Sequence, residues 1–153
     1  MKINLTSILL CTIIIGIASC SERNIKSETR TIAETDTYYS AMSAEKGRNA
    51  AFLAMFDSSG VILRPYHKPI EGLDSITKLL LSENDSSYKL IWKPLFSKTS
   101  RSGDLGYSYG TYEVLTRSTD SIIGKGTYNT IWKKQPDGSW KALLDTGNPG
   151  LGK

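Results

Sequence analysis

Apolar positions first recur at helical spacing from Ile32, where Ile32, Asp36, Tyr39 and Met42 or Ser43 fall on one face. Lys46-Gly47-Arg48 interrupts that period, and Asn49 leads into "AAFLAMF". There Phe52, Met55 and Phe56 sit at i, i+3 and i+4 and call for burial. Asp57 to Gly60 reads as a turn, and Val61 to Arg64 as a short strand stopped by Pro65. "EGLDSITKLLLSEN" predicts a further helix with Leu73, Ile76, Leu79 and Leu80 on its buried stripe. After Asp85 the period changes to two. Strands are expected at Tyr88–Lys98, Asp104–Thr116, Ile122–Lys133 and Trp140–Thr146, joined through turn residues such as Gln135-Pro136-Asp137-Gly138. Helices first and an antiparallel meander afterwards make the class α+β.

Ahead of this domain the pattern is different. Lys2 precedes an uncharged, largely apolar run, Ile3 to Ile17. It falls short of the roughly 20 apolar residues of a membrane span and suits the apolar region of a signal peptide. Ile17-Ala18-Ser19-Cys20 resembles a bacterial lipobox, in which the cysteine is lipidated and becomes the first residue of the mature chain. A plain signal peptide or an uncleaved anchor is the alternative. Ser21 to Thr31 is polar and reads as a tether. The expected organisation is a signal peptide over 1–19, a lipidated tether over 20–31 and one domain over 32–149. The protein is then placed in the bacterial cell envelope, lipid-anchored, facing the periplasm or exposed at the surface.

Composition narrows the chemistry. In 153 residues, 19 Lys and Arg stand against 15 Asp and Glu, a net charge of +4 scattered along the chain. Nucleic-acid binding calls for clustered basic residues with interleaved aromatics, so no nucleic-acid partner is expected. Both cysteines, Cys11 and Cys20, precede the domain, and His67 is the only histidine. Neither a thiolate site nor a multi-histidine zinc site can be built from such a set. There is no P-loop, no GxGxxG and no convincing Ser/His/Asp order, and no cofactor is expected.

The order of elements resembles the nuclear-transport-factor-two-like, cystatin-like fold shared by ketosteroid isomerases and SnoaL-type cyclases. "AETDTYYSAMSAEKGRNAAFLAMFDSSGVILRPYHKPIEGLDSI", "GDLGYSYGTYEV" and "GTYNTIWKKQPDGSWKALLDTGNP" resemble a bacterial branch of uncharacterised, often exported SnoaL-like domains. The resemblance spans roughly residues 32–149 and implies a cone: N-terminal helices packed on a curved antiparallel sheet around a pocket. Carried over by position, it points to Asp36 and Tyr39 on the first helix, Arg64, Trp92, Tyr107, Tyr109, Trp132 and Asp145. Arg64 stands where ketosteroid isomerases place an aspartate base, and an arginine stays protonated and cannot abstract a proton.

The residues themselves leave several roles open. Asp36 on an apolar face is either a pocket carboxylate with a raised pKa, a partner of Arg64, or a structural charge. Arg64 suits bidentate binding of a ligand carboxylate or a structural ion pair. His67 follows Pro65-Tyr66 near the expected pocket mouth, as ligand contact or surface residue. Trp92 and Trp132 are core packing or ligand stacking, and Asp145 a structural anchor or a ligand contact. Alternation puts Tyr107 and Tyr109 on one face of their strand and Gly106, Ser108, Gly110 and Tyr112 on the other. The two tyrosines line either the pocket or a dimer face.

Three functions follow as expectations. The first is an anchored lipoprotein whose pocket binds a small apolar or carboxylate-bearing molecule. The second is a SnoaL-like enzyme with Asp36 as acid–base and Tyr39 as hydrogen-bond donor. The third is a homodimerising structural module whose cone is packed solid.

Overall fold

The computed structural model describes residues 30–151. The expected signal peptide, Cys20 and the expected tether as far as residue 29 lie outside the described residues. Helix α1 (Ile32–Lys46) opens on a capping box: the Thr31 side chain accepts from the Glu34 N–H, and the Glu34 carboxylate accepts from the Thr31 N–H at 2.7 Å. Gly47, at φ 97°, ends α1 and starts α2 (Arg48–Met55). A side chain there would be strained by that φ and would strike Asp85.

Strand β1 (Phe56–Leu63) follows α2 directly, so the expected turn at Asp57–Gly60 lies inside a strand. It is the irregular part, where the register shifts between Phe56 and Val61. A two-residue strand, β2 (Ile70–Glu71), pairs with β1 and leads into α3 (Leu73–Ser82). The long strands are β3 (Tyr88–Thr99), β4 (Leu105–Thr116), β5 (Ile122–Lys134) and β6 (Trp140–Pro149). The sheet order is β2-β1-β6-β5-β4-β3. The meander is antiparallel, as the alternation predicts, but β1 joins β6 in parallel, which makes the sheet mixed. Among the described residues no helix is long and apolar enough to cross a membrane.

The core joins Phe52, Met55 and Phe56 to Ile76 and Leu80 of α3 and to Trp132, Trp140 and Ala142 of the sheet. Helix α1 is less apolar on its buried face, which carries Thr35, Asp36, Ser40 and Ser43. The two serine hydroxyls serve β3, an edge strand. Ser40 Oγ donates to the Trp92 carbonyl at 2.7 Å and accepts from the Trp92 N–H at 2.8 Å, and Ser43 Oγ donates to the Leu90 carbonyl at 2.7 Å. An edge that would otherwise present unpaired backbone groups is thereby covered by a helix.

Between β4 and β5, aromatic residues stand opposite glycines. Gly106 pairs with Trp132, Gly110 with Tyr128 and Tyr112 with Gly126. A Cβ on Gly126 would come within 2.7 Å of the Tyr112 ring. At Gly110 and Gly126 the missing side chains let the rings of Tyr128 and Tyr112 lie close against the sheet, while at Gly106 the space is taken by Ile32 of α1.

Candidate functional site

The inner face of the sheet and α2 enclose a cavity of about 310 Å³. Its walls are Phe52 and Met55 from α2, Ile62 from β1, Leu90 and Trp92 from β3, Tyr112 and Val114 from β4, and Tyr128 from β5. Such an apolar lining with a few convergent polar groups is the usual character of a small-molecule site, and the volume is at the small end of the roughly 300–1,000 Å³ range.

One end of the cavity is cationic. Arg48 begins α2, Tyr88 begins β3 and Arg64 follows β1, so chain direction brings all three to the same end. Glu83, just past α3, accepts from Arg48 at 2.7 Å and from Arg64 at 2.6 Å. Burial pushes Glu83 up, but the two guanidiniums together outweigh it and hold the carboxylate below its ordinary value. Two guanidiniums thus stand against one carboxylate at this end, each with N–H groups to spare. Asn49 fixes this corner by donating to the carbonyls of Leu80 and Glu83 at 2.7 and 2.9 Å.

Asp145 is the carboxylate on the cavity wall. It stands opposite Thr130 on β5, whose hydroxyl donates to Oδ2 at 2.7 Å. No other group among the described residues donates to it. Burial pushes Asp145 up to about 6, aided by the charge of Asp36 and opposed by Thr130 and Arg64.

Asp36 lies behind the wall. It has no exposed surface, and its oxygens accept from Trp92 Nε1 at 2.6 Å and from the Tyr128 hydroxyl at 2.7 Å. Burial raises its pKa, while the hydroxyls of Ser108 and Tyr128 and the indole of Trp92 work against that. Its work in this geometry is to orient two aromatic rings whose other sides face the cavity.

The structure therefore divides the expected site residues. Arg64, Trp92 and Asp145 meet at the cavity. Asp36 does not pair with Arg64, which is taken by Glu83. Tyr39 donates to the Ala54 carbonyl at 3.1 Å and stacks on Trp132 in the core, so neither it nor Asp36 offers an atom to the cavity. Trp132 is fully buried, and its Nε1 donates to Ser108 Oγ at 2.8 Å. His67 is exposed in the loop after Pro65. Tyr107 and Tyr109 lie on the opposite face, packed against Phe96, because the helices claim the face of Gly106, Ser108 and Gly110. Tyr112, Tyr128, Thr130 and Arg48 were not among the expected site residues. The signal for the two tyrosines was their pairing with glycines, which requires the β4–β5 register. Among the described residues, no three His, Cys, Asp or Glu side chains come together as a metal site would need.

No protein-family model matches the sequence, and no curated protein does. Solved structures do match the fold. A ketosteroid isomerase-like protein from Erwinia carotovora atroseptica superposes with a TM-score of 0.62 at 14% identity, over 82% of this chain and 99% of that one. A nuclear-transport-factor-two-like protein with a cystatin-like fold from Novosphingobium aromaticivorans gives 0.64 at 15% identity, over 80% and 81%. A domain with a cystatin-like fold from Nostoc punctiforme gives 0.65 at 14%, over 81% of each chain.

Proposed function

We propose that this chain, which has the nuclear-transport-factor-two-like, cystatin-like fold, is a binding domain for one small, mostly apolar molecule with an anionic group. The observation that carries this reading is an apolar-walled cavity of about 310 Å³ ending at two arginines that share a single carboxylate. The walls would supply affinity by burying apolar surface, and the free N–H groups of the two arginines would orient the ligand. An open cavity also weighs against the packed structural module. Native mass spectrometry of the purified protein tests for a co-purified ligand, and calorimetric titration with 2-naphthoate tests the site directly. Binding that weakens at least tenfold in Arg64→Gln is expected. A protein that carries no ligand and takes up no naphthoate would overturn the reading.

The domain is further proposed to sit at a membrane surface through Cys20, as an envelope lipoprotein. Support comes from the sequence: the Lys2 start, the Ile3–Ile17 apolar run and Ile17-Ala18-Ser19-Cys20. Two or more acyl chains give stable anchoring where a single one is marginal. Mass spectrometry of the membrane fraction should find acylated Cys20, with the modification and the membrane association both lost in Cys20→Ala. A soluble, unmodified wild type would rule the anchor out.

A further inference from the structure

We infer that the ligand is a hydroxy acid, an apolar body that presents its carboxylate to the Arg48–Arg64 end and a neutral hydroxyl to Asp145. The inference rests on the proposed reading of the cavity as a ligand site, and it adds the second polar point of the ligand.

The starting observation is an incomplete carboxylate. Thr130 satisfies Oδ2 of Asp145, and no group among the described residues donates to Oδ1. Every fully buried side-chain polar atom among those residues has a partner, so Oδ1 is not sealed in the protein; it opens on the cavity that Asp145 lines. Tyr128 gives its proton to Asp36 and Thr130 gives its own to Asp145, and the other donors on the lining, the hydroxyls of Tyr88 and Tyr112 and the arginine N–H groups not bonded to Glu83, make no hydrogen bond to Oδ1. A carboxylate oxygen facing apolar walls is costly when unpaired. Once an apolar ligand has displaced water from the cavity, only the ligand can supply that donor.

The type of donor follows from charge. An amine cation would bring a second charge into walls built from Phe52, Met55, Ile62, Leu90, Trp92 and Tyr128. A hydroxyl supplies the hydrogen bond without that desolvation. The spacing follows from the sheet. Asp145 pairs with Ile62 on β1, and Arg64 lies two residues further on, which at about 3.3 Å per residue is roughly 6–7 Å along the strand. The hydroxyl and the carboxylate therefore belong on separate parts of the ligand body.

A ligand series tests this without altering the fold. The full wild-type protein is titrated calorimetrically with 2-naphthoate, 6-hydroxy-2-naphthoate and 6-methoxy-2-naphthoate. The hydroxy compound should bind about tenfold tighter than the parent, as one hydrogen bond to a charged acceptor allows. The methoxy compound, which cannot donate, should bind no tighter than the parent. In Asp145→Ala the hydroxyl gain should vanish while 2-naphthoate still binds, and Asp145→Leu, which also has no acceptor, serves if the alanine variant does not fold. Equal binding of hydroxy and parent compounds, or a gain that survives at Asp145 variants, overturns the hydroxy-acid assignment and leaves the binding reading intact. Failure of all three compounds to bind overturns both.

Discussion

Gly110 on β4 and Tyr128 on β5 stand directly opposite each other, and the ring of Tyr128 occupies the space a side chain at Gly110 would need. A Cβ at Gly110 would lie 2.8 Å from the ring and would collide with the Lys93 carbonyl. Gly110→Ala should therefore cost about 2–3 kcal/mol, as overpacking does. Gly124→Ala is the control, since its nearest neighbour would be a Val114 methyl at an ordinary 3.5 Å. Urea denaturation should separate the two, with Gly124→Ala within about 0.5 kcal/mol of wild type. Equal stabilities would remove the argument for close ring packing.

The same tyrosine gives a second prediction, through Asp36. That carboxylate accepts from both Trp92 and Tyr128, and an amide has only one acceptor for the pair. Asp36→Asn should lose about 1–3 kcal/mol of stability and shift the Trp92 fluorescence. It should also weaken naphthoate binding, because two rings of the cavity wall lose their anchor. An unchanged binding constant would show that Asp36 holds nothing the ligand touches.

Stability should depend on pH through Asp145 with a sign opposite to that of most carboxylates. Burial raises its folded pKa from 3.8 to about 6. The folded state therefore favours the protonated group, and its contribution is most favourable below about pH 4 and lost as pH rises through 6. Asp145→Asn should be about 1–2 kcal/mol more stable than wild type at pH 8, allowing for solvent that reaches the cavity, and similar to it near pH 4. Thermal melts of both proteins across that range decide the matter. A variant that loses stability at pH 8 would contradict the assigned environment.

The outer face of the sheet carries Phe96, Tyr107 and Tyr109, each about two-fifths exposed, with both tyrosine rings packed against Phe96. The homodimer expected from the sequence would bury this face. Wild type should show a concentration-dependent dimer in sedimentation velocity, and Phe96→Glu with Tyr109→Glu should be monomeric with little change in thermal midpoint. A wild type that stays monomeric at all concentrations would exclude the dimer.

How far the sequence could be read depended on what each pattern encodes. Alternation delimited the long strands to within a few residues, because each has one face on the core or cavity and one towards solvent. It could not say which face was which, and so the tyrosines of β4 stayed ambiguous until the helices were seen against Gly106. Asp57-Ser58-Ser59-Gly60 keeps its turn chemistry inside β1: the Ser59 N–H donates to Asp57 Oδ1, and the four residues form the irregular stretch that β6 does not pair. Asp36 was visible as a charge on a buried face, but its partners lie 56 and 92 residues away. Arg48 read as a break between helices, since nothing local announces a contact with Glu83 on another element.

The position of β6 within the sheet governs the order in which this molecule can be completed. It is the last described strand in the chain, yet it lies between β1 and β5, and it alone ties the β1–β2 pair to the meander. A polypeptide that stops before Trp140 would hold all three described helices but leave the sheet in two unconnected fragments. The wall supplied by Asp145 and Gly147 would be missing from any such product. A chain cut short there would leave core surface open to proteases, and the cavity is closed on this side only once the final strand is in place.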